Sequence, residues 1–160
     1  MHVENCAGYD PVPVRRPLVA LIACLALAAC SREDEESTPS GCLAGDDAVL
    51  QALESAPEPV TLDGTPLSGC VSDTTGGGEL QEVGAAYVDA ASRLADRAAA
   101  NPESDAALQL GYLLGAVKRS EAGAQGVGYE LERRLQSEAT RLPERSKAYE
   151  RGLRAVTEGG

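Results

Sequence analysis

The chain has no Trp and no Phe, a single His, and only five Tyr to supply its aromatic surface. Each shortage removes a class of chemistry. The one histidine, His2, sits at the extreme N-terminus, so the rest of the chain lacks the commonest general base and the commonest zinc ligand. The serines lie in polar loops or on helix positions with no evident activating partner. Carboxylates are plentiful enough for glycoside hydrolysis, but sugar sites want aromatic platforms. Tyr87 and Tyr149 fall on stripes expected to be buried, which leaves Tyr112 and Tyr129 as boundary residues. Basic residues are also scarce: 14 Lys and Arg against 25 Asp and Glu give a formal charge of -11. Such a surface repels phosphate backbones and anionic headgroups, so nucleic acid is not an expected partner. The longest apolar run, Pro17 to Ala29, is 13 residues, short of the roughly 20 that span a bilayer as a helix. No catalytic, cofactor-binding or metal-ligating residue is assigned, and the chain is not expected to be an enzyme.

What is present concerns address. Arg15 and Arg16 form a positive flank, Pro17 to Ala29 an apolar segment, and Ala28-Ala29 the small pair that a signal peptidase accepts beside its cut. Cys30 follows at once, and the acidic Ser31-Arg32-Glu33-Asp34-Glu35-Glu36 follows it. Leu27-Ala28-Ala29-Cys30 resembles the lipobox of bacterial lipoprotein signals: an aliphatic residue, two small ones, then Cys. The resemblance implies that Cys30 receives a diacylglyceryl thioether, that signal peptidase II cuts before it, and that the freed amine is open to acylation. It implies an extracytoplasmic, lipid-anchored protein. Leu21-Ile22-Ala23-Cys24 is a competing match, but a cut there would strand Leu25 to Ala29 in the product. Glu4 and Asp10 ahead of the arginines are unusual for such a signal, and Val12 or Val14 is an alternative start.

Three regions are expected: residues 1–29 as signal peptide, 30–41 as lipidated Cys and flexible acidic tether, and 42–160 as one small domain. Ser31 to Gly41 has too few apolar groups to offset the entropy of ordering. Beyond it, Leu and Val make up only about a fifth of the residues, and Ile is absent along with Phe and Trp. Ala must fill a thin core in which helices approach closely. Of the five cysteines, Cys6 and Cys24 leave with the signal and Cys30 takes lipid. Cys42 and Cys70 remain, and outside the cytoplasm they are expected to form a disulfide.

The expected fold is mainly α: a small antiparallel bundle of three to four helices with an irregular, disulfide-stapled N-terminal region. Asp46 or Asp47 caps a short helix through Ala56, with Val49, Leu50 and Leu53 inward and Pro57 and Pro59 beyond it. Val60 to Leu67 carries Asp63-Gly64 between alternating apolar positions, a hairpin signal weakened by Pro66. Asp73 to Glu79 contains three glycines but neither the ligand spacing of a calcium loop nor the Lys of a phosphate cradle. From Glu79, the residues Leu80, Val83, Tyr87, Ala91, Leu94 and Ala98 form one stripe, with Asp89 and Arg93 paired outside. Asn101 caps a following helix with Pro102 in its first position.

That helix carries Ala107, Leu110, Leu114 and Val117, and beside them Ala107, Gly111 and Gly115 at spacing four. Such small residues let a second backbone approach, within the chain or across a homodimer. The segment through Gly123, Gly126 and Gly128 reads either as a break or as the middle of one long, kinked helix to Leu142, the second being preferred, with Val127, Leu131 and Leu135 inward and Glu130 paired with Arg134. Pro143 opens a last helix in which Tyr149, Leu153 and Val156 face in and Glu150 pairs with Arg154. The expected function is a membrane-anchored structural or protein-interaction module of the cell envelope. The alternative is a small-ligand or divalent-cation binding lipoprotein, motivated by net acidity and the Gly-rich loops.

Overall fold

The computed structural model describes residues 37–120, 127–142 and 146–158. These residues are mainly helical, with six α-helices and one two-stranded sheet. A 3-10 turn, Ser40–Leu43, leads into α1 (Gly45–Ala52) and a second 3-10 turn, Leu53–Ser55. The hairpin β1 (Thr61–Leu62) and β2 (Thr65–Pro66) follows, then α2 (Leu67–Ser72) and α3 (Gly77–Ala100). The chain closes with α4 (Asp105–Arg119), α5 (Val127–Ala139) and α6 (Lys147–Glu158).

The hairpin forms where Asp63-Gly64 places it. Both residues have positive φ, 48° and 86°, the pairing that a two-residue type I′ turn demands and that Asp-Gly supplies at little cost. Thr61 lies opposite Pro66 and Leu62 opposite Thr65; in a sheet of two strands Pro66 has an outer edge to face, so its missing N–H breaks no inner ladder. The 3-10 turn packs on this hairpin so closely that a Cβ on Gly41 would lie 2.9 Å from the Leu62 carbonyl oxygen. The Cys42–Cys70 disulfide ties the turn to α2, with both cysteines at 1% exposure or less. It closes a loop with a sequence separation of 28, which by chain entropy contributes about 3.6 kcal/mol. α2 itself is not foreseen by the sequence reading, because six residues containing Gly69 are too few to display a helical period.

On α3 the expected stripe is buried from Val83 to Ala98, and Leu80 is half-buried. α4 departs from a one-striped helix: Ala106 to Val117 is buried on every side except at Gln109, as befits a helix surrounded by others. α3 packs on one side of it and α6 on another. The contact with α6 explains the glycines. A Cβ on Gly111 would lie 2.0 Å from the Tyr149 carbonyl oxygen, one on Gly115 3.0 Å from that of Leu153, and one on Gly152 1.9 Å from that of Leu108. The stripe of small residues is therefore used within the chain, where two backbones touch.

Several expectations need correction. Asp46 and Asp47 lie in the first turn of α1 rather than at its cap, Ala44, where they complement the helix dipole. α1 ends at Ala52 and only a 3-10 turn continues it. Asn101 follows the end of α3 and accepts a hydrogen bond from Glu103 N at 3.3 Å; α4 starts after Ser104. The long helix to Leu142 is not formed. α4 stops at Arg119, Ser120 is extended with φ −62° and ψ 130°, and its hydroxyl donates to the Val117 carbonyl at 2.6 Å. A continuous helix would carry Leu131 about 18 Å beyond Arg119 at 1.5 Å per residue, whereas it lies instead beside Gly84 of α3. Gly123, Gly126, Pro143 and the first thirty-six residues lie outside the described residues.

The start of α6 is held by its neighbour. Glu103 accepts from the backbone N–H groups of Lys147 at 2.9 Å and Ala148 at 3.3 Å, satisfying helix-terminal donors that would otherwise lack an intrahelical partner.

Candidate functional site

Leu27, Ala28, Ala29 and Cys30 lie outside the described residues, so the structure bears on them only through the place where the chain joins the domain. That place is Thr38. It is 6% exposed, and its hydroxyl donates to Glu79 Oε2, in the first turn of α3, at 2.5 Å. Cys42 N then donates to the Pro39 carbonyl at 2.9 Å. Thr38 to Gly41, expected as the end of a flexible tether, thus packs with the folded domain. The eight residue-to-residue steps between Cys30 and Thr38 span at most about 28 Å.

Among the described residues, recesses open in at least two places. One, about 170 Å³, lies beneath Pro57, Pro59 and Pro66 against Tyr112 and Arg119. Two of its polar groups are engaged in the fold: the Tyr112 hydroxyl accepts from Val60 N at 3.0 Å, and Arg119 Nη1 donates to the Val156 carbonyl at 2.5 Å. The second, about 330 Å³, is an apolar groove between α3 and α5 lined by Leu80, Gly84, Ala85, Val88, Val127 and Leu131. Val127 was expected to be buried; it is 55% exposed. On the groove's rim Glu130 is clamped by Arg133 Nε at 2.8 Å and Arg134 Nε at 2.9 Å. Hydrogen bonds from Arg133 first, then Arg134, pull its carboxyl down to about 2.

Other ion pairs are dispersed over the surface. Arg93 turns away from Asp89 and reaches back to α1, to Asp46 at 2.5 Å and Asp47 at 2.6 Å. Arg141 joins Asp96 of α3 to Glu138, and Glu150 pairs with Arg154 at 3.7 Å as expected. Among the described residues no group of three or more His, Cys, Asp or Glu side chains is placed to hold a metal ion. The Gly-rich stretch brings no such group together: Asp73 accepts from Ser72 Oγ at 2.7 Å, while Glu79 serves Thr38.

The tyrosines divide between core and surface. Tyr87 is fully buried and donates to the Leu67 carbonyl at 2.8 Å, and burial pushes its phenol well above the ordinary range. Burial also raises the half-buried Tyr149. Tyr112, expected at an exposed boundary, is buried, whereas Tyr129 is 58% exposed.

The sequence reading missed the α3–α5 groove, although a signal was there. Leu80, Gly84 and Val88 recur at spacing four beside the buried stripe of α3, a second and paler line on the same helix. Among the described residues no helix is long and apolar enough to cross a membrane. Comparison of the chain with protein-family models, with curated proteins and with solved structures gives no match in any of the three.

Proposed function

We propose that this protein is an extracytoplasmic lipoprotein, fixed to a membrane by lipid on Cys30, and that its helical domain is a protein-interaction module of the cell envelope. One observation carries the reading: Leu27-Ala28-Ala29-Cys30 stands at the end of a basic-then-apolar leader and directly before an acidic stretch. The remaining features agree with it. A net charge of -11 gives the domain no attraction of its own for anionic lipid. Lipid supplies the anchoring instead, since two or more chains hold a protein stably where one does not. The Cys42–Cys70 disulfide suits an oxidising compartment. The acidic segment ahead of Thr38 serves as a short spacer that holds the domain close to, but off, an anionic surface.

Membrane fractionation with crosslinking tests the reading. Wild-type protein is expected in the sedimenting fraction, crosslinked reproducibly to a defined envelope protein. Cys30→Ser is expected to stay uncut by signal peptidase II and to lose the crosslink. A Cys30→Ser protein that sediments fully, cut at the usual place, would remove the proposal.

A further inference from the structure

The domain's own packing leaves the α3–α5 groove open. At its floor an added Cβ on Gly84 would meet only Leu131 Cδ1, at 4.0 Å, whereas at Gly111 and Gly152 neighbouring backbone fills that space. Two large apolar side chains stand exposed among the described residues, Val127 and Tyr129, and both belong to the first turn of α5. Val127 lines the groove together with Leu80 and Val88 of α3. The two helices run in the same direction: Leu131 lies beside Gly84, and further along both, Arg141 pairs with Asp96.

The charge beside the groove is of opposite sign on its two sides and is not matched within the chain. Beyond the groove, Arg141 reaches across to Asp96 of α3. Alongside it no such crossing is made. Asp89 is exposed, and its carboxylate has no partner among the described residues, since Arg93 reaches back to Asp46 and Asp47. On the α5 side, Arg133 and Arg134 share the single carboxylate of Glu130. The α3 side therefore has an acid to spare and the α5 side a guanidinium. Asp89 lies seven residues before Asp96, and Arg134 seven before Arg141, so in helices that run the same way the two stand about level with one another on opposite sides.

We propose that the α3–α5 groove is the interface of a homodimer whose two-fold axis lies along it. Such an axis lays α3 of one protomer over α5 of its partner without shifting either along the groove, and a two-fold interface makes each contact twice. Asp89 of each protomer then faces Arg134 of the other, while Leu80, Val88 and Val127 of both are covered. A two-fold axis across the groove would instead set α3 upon α3, with the exposed acids Glu82 and Asp89 against those of the second copy. From Gly77 to Val88 the groove runs about 16 Å along α3 at 1.5 Å per residue; so small an interface makes a weak, exchanging dimer. The proposal stands on the folded domain alone and does not need the lipid on Cys30.

The test uses the whole chain in intact cells. Gln81, exposed and lining the groove, is replaced by the photoreactive benzoylphenylalanine in two forms of the chain that carry different C-terminal tags. On irradiation, chains otherwise unchanged are expected to give an adduct of doubled mass that carries both tags, with the crosslinked peptide mapping to α5. Asp89→Arg alone, or Arg134→Glu alone, sets like charges face to face at both symmetric contacts and is expected to reduce the adduct about tenfold. Co-expression of the Asp89→Arg chain with the Arg134→Glu chain restores opposite charge at both contacts. It is expected to recover the mixed-tag adduct, which shows at the same time that both variants fold. The proposal is overturned if the adduct is absent without the charge changes, if it is equally strong in the single variants, or if co-expression does not recover it. A self-adduct that maps to α3 overturns it too, since the axis would then lie across the groove. An adduct with a different envelope protein in place of the self-adduct overturns this proposal and leaves the interaction reading above standing.

Discussion

Gly152→Ala should cost this domain a large part of its stability, and the same substitution at Gly84 should add to it. The Cβ introduced at 152 would sit 1.9 Å from the Leu108 carbonyl oxygen and 2.9 Å from Tyr112 N. Both obstacles are backbone inside α4, so no rotamer change relieves them. α6 must move off by about 1.5 Å, and a gap of even 0.5–1 Å forfeits a quarter to a half of each dispersion well across the contact. Overpacking ordinarily costs about 1–3 kcal/mol; obstruction by backbone over this whole contact places the cost near 4. Ala regains about 1 kcal/mol over Gly in a helix interior, leaving a net loss of about 3 kcal/mol. At Gly84 the nearest atom is a side-chain methyl at 4.0 Å, so the propensity gain of about 0.5–1 kcal/mol stands alone. Urea denaturation of the three proteins reads the difference: with a slope of about 2 kcal/mol per molar, Gly152→Ala should lower the midpoint by about 1.5 M. A Gly152→Ala protein as stable as the parent would refute the close α4–α6 contact, and a Gly84→Ala protein less stable than the parent would refute the open space beside Gly84.

Other outcomes follow from the same geometry. Replacing Cys42 and Cys70 together by Ala should cost about 3.6 kcal/mol through loop entropy, and urea curves of the parent with and without reductant should show a similar gap. Tyr112→Phe leaves Val60 N without its partner at 3.0 Å and should cost about 1–3 kcal/mol for the unsatisfied buried donor, measured in the same assay. Tyr87 holds its proton more tightly folded than unfolded, so its contribution is complete below the unfolded value of 10.0 and is lost as pH rises beyond it. Its phenolate should appear only together with loss of helical dichroism, and Tyr87→Phe should remove that coupled step. The carboxyl of Glu130 is shifted the other way, from 4.5 to about 2, so the small stabilisation of α5 by its arginines is present above 4.5 and fades as pH falls toward 2. Exposure keeps this effect slight; amide exchange of α5 in Glu130→Gln should no longer change across that window.

Legibility in the sequence followed the strength of the local signal. Asp63-Gly64 names its turn because both positions need φ above zero, and the turn is there. Gly111 and Gly115 announce a close approach because glycine at spacing four on one helix has few other uses, and α6 occupies that place. The stripe of α3 is a 24-residue pattern, long enough to average out noise. What escaped is non-local. Nothing near Arg93 says that α1 lies within reach, so the i,i+4 partner Asp89 looked sufficient. Tyr112 looked like a boundary residue because the donor that fixes its hydroxyl, Val60 N, is 52 residues away in sequence. The groove was hidden for a related reason: Leu80 and Val127 each sit on a helical stripe, and only the meeting of α3 with α5 decides which apolar residues stay uncovered. The proposed lipobox is the reverse case, a compact resemblance at Leu27 to Cys30 whose consequences depend on other proteins.

The account turns on Cys30, and the intact mass of the protein extracted from membranes tests it most directly. The predicted species begins at Cys30, carries diacylglycerol with or without a further acyl chain on its amine, and is two hydrogen atoms lighter for the Cys42–Cys70 bond. A species that retains residues before Cys30, or that begins there with an unmodified thiol, would contradict it.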